Sequence, residues 1–173
     1  MNKLAEHPRA VFVGQGLGVA GTTMTDTLAS VPRDKMIDFP IAEELQLGFC
    51  IGLALDGWLP VCIYPRWNFV LRAADQLVNH LDRLPLYSGG GYVPKVIIRV
   101  SVPSVRPFDP GPQHDDDFSL AFSHMLRTVK MREMLSESHV WSAYDAAPKA
   151  KYSSIMVEYA ALCNAVPSGV KAA

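Results

Sequence analysis

At 173 residues, 49% apolar and 19% charged, the chain is long enough for one domain with a real core and too apolar for disorder. A formal net charge of -1 without any Lys/Arg cluster excludes the electrostatic footprint of a nucleic-acid-binding protein. No run is apolar enough to span a bilayer, and the first residues lack the apolar core of a signal peptide, so no membrane partner is expected. The three scattered cysteines, Cys50, Cys62 and Cys163, match neither a metal pattern nor a disulfide framework. A reducing cytoplasm is the expected compartment.

In chain order, residues 9–14 read as a buried strand ending in glycine. Gly16-Leu-Gly18-Val-Ala-Gly21 follows, a formal GxGxxG before a Thr-rich helical stretch over 22–30, with Asp38 ending the next strand. Two readings stand: a dinucleotide fingerprint, or a glycine turn at a strand end. Residues 36–39 form the second strand and break at Pro40. Glu43 and Glu44 then open a helix that runs to about Asp56, its apolar face carrying Leu47, Ile51, Ala54 and Leu55. Gly48 and Gly52 share one side of it, where another element can approach closely, and Asp56-Gly57 closes it. Residues 59–64 are the third strand. Asn68 stands where a cap would precede a helix with Val70, Leu71, Ala74, Leu77, Val78 and Leu81 as its stripe.

Residues 95–100 are a fourth, fully buried strand. A Pro-rich loop over 102–113 delivers His114 and Asp115-Asp-Asp117, acids better read as a solvated helix start than as metal ligands. A helix over 118–125, a weak strand over 128–131, a helix over 138–147 and a strand over 154–158 complete the pattern. Alternation of strands and helices predicts an α/β three-layer sandwich with a mostly parallel sheet of about six strands. It forms one domain over 1–166, with a frayed tail over 167–173.

Glu43 at a strand-to-helix junction has two roles open to it. It is either favourable charge at a helix N-terminus, worth about 0.3–1 kcal/mol, or a buried carboxyl that shares a proton with a ligand.

Several pieces, taken in order over roughly residues 10–165, resemble the pyrimidine-binding domain of thiamine-diphosphate enzymes. The nearest likeness is to the beta subunit of 2-oxo acid dehydrogenases, with transketolase more distant. The pieces are Phe39-Pro-Ile-Ala-Glu43, Gly48, Gly52, Gly57 with Pro60-Val61, Phe69, Asp75-Gln-Leu-Val-Asn79, Tyr87-Ser-Gly-Gly90, Val96-Ile-Ile-Arg99 and Gly111-Pro-Gln-His114. Tyr144-Asp-Ala146 and Val157-Glu-Tyr159 fit more loosely. The resemblance implies that Glu43 hydrogen-bonds a ring nitrogen of the cofactor's aminopyrimidine, in a dry site that raises the carboxyl's pKa. It further implies that Phe69 packs on that ring, that Ile41 joins the cofactor pocket, and that His114 moves a proton near the reacting centre.

Some positions depart from the resemblance. Glu44-Leu-Gln46 replaces small and aromatic residues, Arg66-Trp67 stands where apolar residues are usual, and the loop before His114 is proline-rich rather than glycine-rich. The match also stops where a pyrimidine domain stops, without the Gly-Asp-Gly…Asn magnesium signature. The expectation is therefore a subunit inactive alone, with no metal ligand of its own. A separate diphosphate-binding chain would supply magnesium and the diphosphate, in a heterotetramer or beside a homodimeric pyrimidine pair. The alternatives are a non-catalytic relic serving as a binding or assembly module, and a small dinucleotide-binding protein using Gly16–Gly21.

Overall fold

The computed structural model describes residues 1–21, 23–104 and 109–163; the tail expected over 167–173 lies outside them. Six strands pair in parallel: β1 (Ala10–Gly14), β2 (Met36–Asp38), β3 (Leu59–Tyr64), β4 (Ile97–Val102), β5 (Lys130–Met134) and β6 (Ser154–Tyr159). Their order across the sheet is β2-β1-β3-β4-β6-β5. Among the described residues there are eight α-helical segments, α1 (Asn2–Ala5), α2 (Thr23–Asp26), α3 (Glu43–Leu55), α4 (Trp67–Val70), α5 (Leu84–Tyr87), α6 (Ser119–Met125), α7 (Glu137–Ala146) and α8 (Ala160–Cys163).

Burial explains the strand composition. Every residue of β1 and β3 is buried, because helices cover both faces, and both strands read as continuous apolar runs. The edge strands β2 and β5 are short and carry Asp38, Lys130, Arg132 and Glu133, as edges do when they must not pair further. One core layer joins Val13, Cys62, Ile98 and Val157 to Leu47, Cys50 and Ile51 of α3, with Trp67 and Leu77 beside them. The other joins Phe12, Val61, Ile97 and Met156 to Leu4, Met24 and Ala143. The expected three-layer α/β sandwich is thus the observed one, its sheet parallel throughout the described residues.

Three local differences have physical causes. The helix expected over 22–30 is only Thr23–Asp26 long, in keeping with the low helix propensity of its threonines. Asn68 does not cap; Arg66 takes that position, and the Asn68 amide reaches out to Asp116 Oδ2 at 2.8 Å. The regular helix expected beyond it tightens to a 3-10 turn at Leu71–Ala73 and widens to a π-helix over Gln76–Leu81.

Gly57 ends α3 at φ +83°, as its Asp-Gly signature predicts. Gly14 has a different reason to be glycine. A Cβ there would stand 2.9 Å from Leu17 and 3.0 Å from the Ile63 carbonyl, so β1 can meet its turn only without a side chain.

Beneath the second core layer, Arg99 of β4 is 2% exposed and forks onto Glu158 of β6, with Nε and Nη2 each donating at 2.7 Å. Its Nη1 donates to the Met24 carbonyl at 3.0 Å and to Thr27 Oγ1 at 2.8 Å. The Tyr144 hydroxyl also donates to Glu158; burial and that carboxylate push its phenol well above the usual range. Removing one partner leaves the other charge buried. Arg99→Met is therefore expected to cost about 3–5 kcal/mol in urea denaturation, while Arg99→Met with Glu158→Leu recovers most of that loss. A double variant as weak as the single one would count against this account.

Candidate functional site

The chain reverses its direction of travel across the sheet at β1. β2 lies on one side of it, and α3 crosses back to start β3 on the other. In open parallel sheets the carboxyl ends of strands beside such a reversal form the natural crevice. The segments leaving β2, β3 and β4 carry Ile41 with Glu43, Phe69, and His114 respectively.

Glu43 is the first residue of α3, with Ala42 as an N-cap that offers no side-chain acceptor. Its side chain is only 5% exposed, and Arg72 Nε stands 3.3 Å from Oε2. Its backbone is fixed from β3, where the buried Tyr64 hydroxyl donates to the Glu43 carbonyl at 2.9 Å. One turn on, buried Gln46 donates to the Ile63 carbonyl at 3.1 Å and to Cys62 Sγ at 3.3 Å, locking α3 to β3. A cavity of about 440 Å³ opens in front of Glu43, lined by Ile41, Glu44, Leu45, Gly48, Arg72 and Gln76 among others. Ile41, 84% exposed, forms its rim.

Phe69 and His114 meet each other instead. Their rings stand edge to face, 5.6 Å apart, and neither lines the Glu43 cavity. His114 sits in a turn closed by its own N–H on the Gly111 carbonyl at 2.9 Å. Its Nδ1 and the neighbouring Asn68 Oδ1 are buried without a hydrogen-bond partner, the kind of group a bound molecule satisfies. The acids after His114 clamp the loop. Asp116 holds Asn68, and Asp117 accepts from the Ser119 N–H at 2.9 Å and from the Tyr159 hydroxyl at 3.2 Å. The predicted site residues therefore form two pairs, Glu43 with Ile41 and Phe69 with His114. Arg72, three residues beyond Phe69, reaches back to Glu43.

Sequence reading missed Arg72, Gln46 and Tyr64. Gln46, a polar residue one turn from Glu43 on the same helix face, carried the only available signal.

The glycine-rich turn looks different. The helix that follows is one turn long, and Asp38 Oδ1 already accepts the Leu17 N–H at 3.3 Å. A Cβ on Gly18 would stand 2.8 Å from the Arg33 guanidinium. A dinucleotide reading would need a longer helix start for its pyrophosphate.

Fold and site together define a parallel α/β domain with a buried acid at the strands' carboxyl end. No family model matches the chain. It is 31% identical over 90 residues to the mitochondrial pyruvate dehydrogenase E1 component subunit beta of Caenorhabditis elegans, covering 52% of this chain and 25% of that one. It is 29% identical over 124 residues to the 3-methyl-2-oxobutanoate dehydrogenase subunit beta of Mycobacterium tuberculosis, covering 70% and 35%. A solved structure described as a split gene transketolase, inactive beta4 tetramer, superposes with a TM-score of 0.67 at 17% identity, over 89% of this chain and 46% of that one. The chain thus spans a quarter to about a third of the length of these curated relatives. The resemblance read from the sequence is borne out: 2-oxo acid dehydrogenase beta subunits in sequence, and a transketolase-like domain in fold.

Proposed function

We propose that this chain is the pyrimidine-binding part of a split thiamine-diphosphate-dependent enzyme of the 2-oxo acid dehydrogenase or transketolase type, inactive alone. The observation that carries this reading is the buried Glu43 carboxylate facing a cavity at the carboxyl ends of the strands. The residues suit the pyrimidine end of that cofactor: an acid for a ring nitrogen, an apolar rim at Ile41, and the Phe69 ring beside a histidine with an unsatisfied nitrogen. When bound, the cofactor supplies carbanion stabilisation, and the protein supplies orientation and electrostatics. Glu43 holds a proton at the ring nitrogen, and His114 exchanges one at its imidazole. We assign magnesium and the diphosphate to a separate diphosphate-binding chain, and no metal ligand to this one.

The exposed face of α3 supports such a partner. Leu45, Phe49 and Gly52 lie exposed there at helical spacing beside half-buried Gly48, and among the described residues nothing lies within 4 Å of a Cβ on Gly52. The partner arrangement is a homodimer of pyrimidine domains or a heterotetramer. We retain residues 1–166 as one domain and the cytoplasm as its compartment. Among the described residues no helix is long and apolar enough to cross a membrane.

Calorimetric titration with thiamine diphosphate and magnesium tests the assignment. The isolated chain is expected to bind weakly at best, and a diphosphate-binding chain to convert this to tight, stoichiometric binding. Leu45→Glu should leave the chain folded and remove that gain. Tight binding by a monomer of this chain alone would sink the split-site reading. A second reading, a non-catalytic binding or assembly module, draws on the ion pair that already engages Glu43.

A further inference from the structure

Among the described residues the Glu43 carboxylate meets one partner, the Arg72 guanidinium, 3.3 Å away. The two ends of this pair differ sharply, with Glu43 5% exposed and Arg72 77% exposed. Arg72 lines the same cavity and makes no other hydrogen bond or ion pair among those residues. The guanidinium pairs with the carboxylate by charge, and a protonated ring nitrogen or an amino group of a heterocycle would pair with that same carboxylate. The remaining groups around Glu43 do not compete for it. Glu44 is exposed, Gln76 is neutral, and the Tyr64 hydroxyl is spent on the backbone carbonyl. Arg72 also sits in the 3-10 turn just before the π-helical segment, in backbone that departs from regular helix.

We propose that Arg72 is the built-in occupant of the Glu43 site: its guanidinium holds the carboxylate in the free chain and must swing into solvent before an aminopyrimidine can take its place. Arg72 is thus a specificity-determining residue that sets the affinity of the site. The proposal rests on the assignment of Glu43 given above. An exposed arginine is released cheaply, because its pair is screened by water and salt, so the effect is a graded competition.

The test uses the full chain and, as probe, the hydroxymethyl-aminopyrimidine half of thiamine, which has no phosphate for Arg72 to attract. Binding is followed by NMR titration. Arg72→Gln is expected to bind the probe at least about fivefold more tightly than the parent, and Arg72→Lys, which keeps the charge, to return towards parental affinity. Added salt should tighten binding to the parent, by weakening the Arg72 pair, and leave Arg72→Gln unmoved. Equal, weaker or undetectable binding by Arg72→Gln overturns the proposal; if Glu43→Gln nevertheless abolishes binding to the parent, the reading of Glu43 survives. A gain in Arg72→Gln that persists when Glu43→Gln is added overturns both.

Discussion

Glu43→Gln is expected to leave the fold as stable as the parent or more so, and to lower exchange of the cofactor's thiazolium proton by at least about 100-fold in the reconstituted complex. The stability half follows from burial. Glu43 is held in a dry position by Tyr64 and its helix, and Gln removes the cost of hiding a charge there. Arg72, mostly exposed, returns to water with little loss. A carboxylate serving only the helix N-terminus would instead cost a few tenths to about 1 kcal/mol when neutralised. The sign of the change in denaturation midpoint therefore separates the two roles.

The exchange half follows from the chemistry, because an amide cannot hand over and take back a proton at a ring nitrogen. Glu44→Gln is the control. Glu44 lines the same cavity but lies exposed, and its variant should keep parental exchange. NMR exchange at the thiazolium carbon, with the partner chain present, reads both variants. Parental exchange in Glu43→Gln, or loss in Glu44→Gln alone, would place the function on the wrong carboxylate.

Asp82→Ala is expected to cost about 3–5 kcal/mol of stability and to give a sample that unfolds at much lower urea. Asp82 is fully buried at the end of the π-helical segment. Its carboxylate accepts the backbone N–H groups of Arg127 at 2.9 Å, Thr128 at 2.7 Å and Val129 at 2.8 Å. The Thr128 hydroxyl donates to the Asp82 carbonyl at 2.7 Å, so Asp82 holds all three residues that lead directly into β5. Truncation strands donors that make no other hydrogen bond among the described residues, at about 1–3 kcal/mol for each buried one. Asp82→Asn keeps one acceptor oxygen but turns an N–H₂ towards the same donors, and should lose less than the alanine variant. A change below about 1 kcal/mol in Asp82→Ala would mean that water replaces the carboxylate and that the clamp is not structural.

The clamp also explains why the fifth strand starts later than its apolar pattern predicts. Thr128 and Val129 spend their N–H groups on Asp82, and pairing with β6 begins at Lys130. A carboxylate at the C-terminal end of a helix, where the dipole disfavours it, was the one visible sign that Asp82 had another task.

Periodicity, glycine punctuation and the ordered motifs were enough to specify the alternating strands, the parallel sheet and the family likeness. These are properties of neighbouring residues, and a buried parallel strand such as Leu59–Tyr64 announces itself by being apolar at every position. The helix Glu43–Leu55 was equally legible, from its acids at one end to Asp-Gly at the other, although Leu55 turns out exposed rather than on the core face. Tertiary structure alone decided who faces whom. Nothing in the spacing of Glu43 and Arg72, of Asp82 and Thr128, or of Arg99 and Glu158 marks them as partners. Each pair is brought together by strand order and crossover. Charged groups at those positions look like ordinary surface residues until the fold removes the water around them.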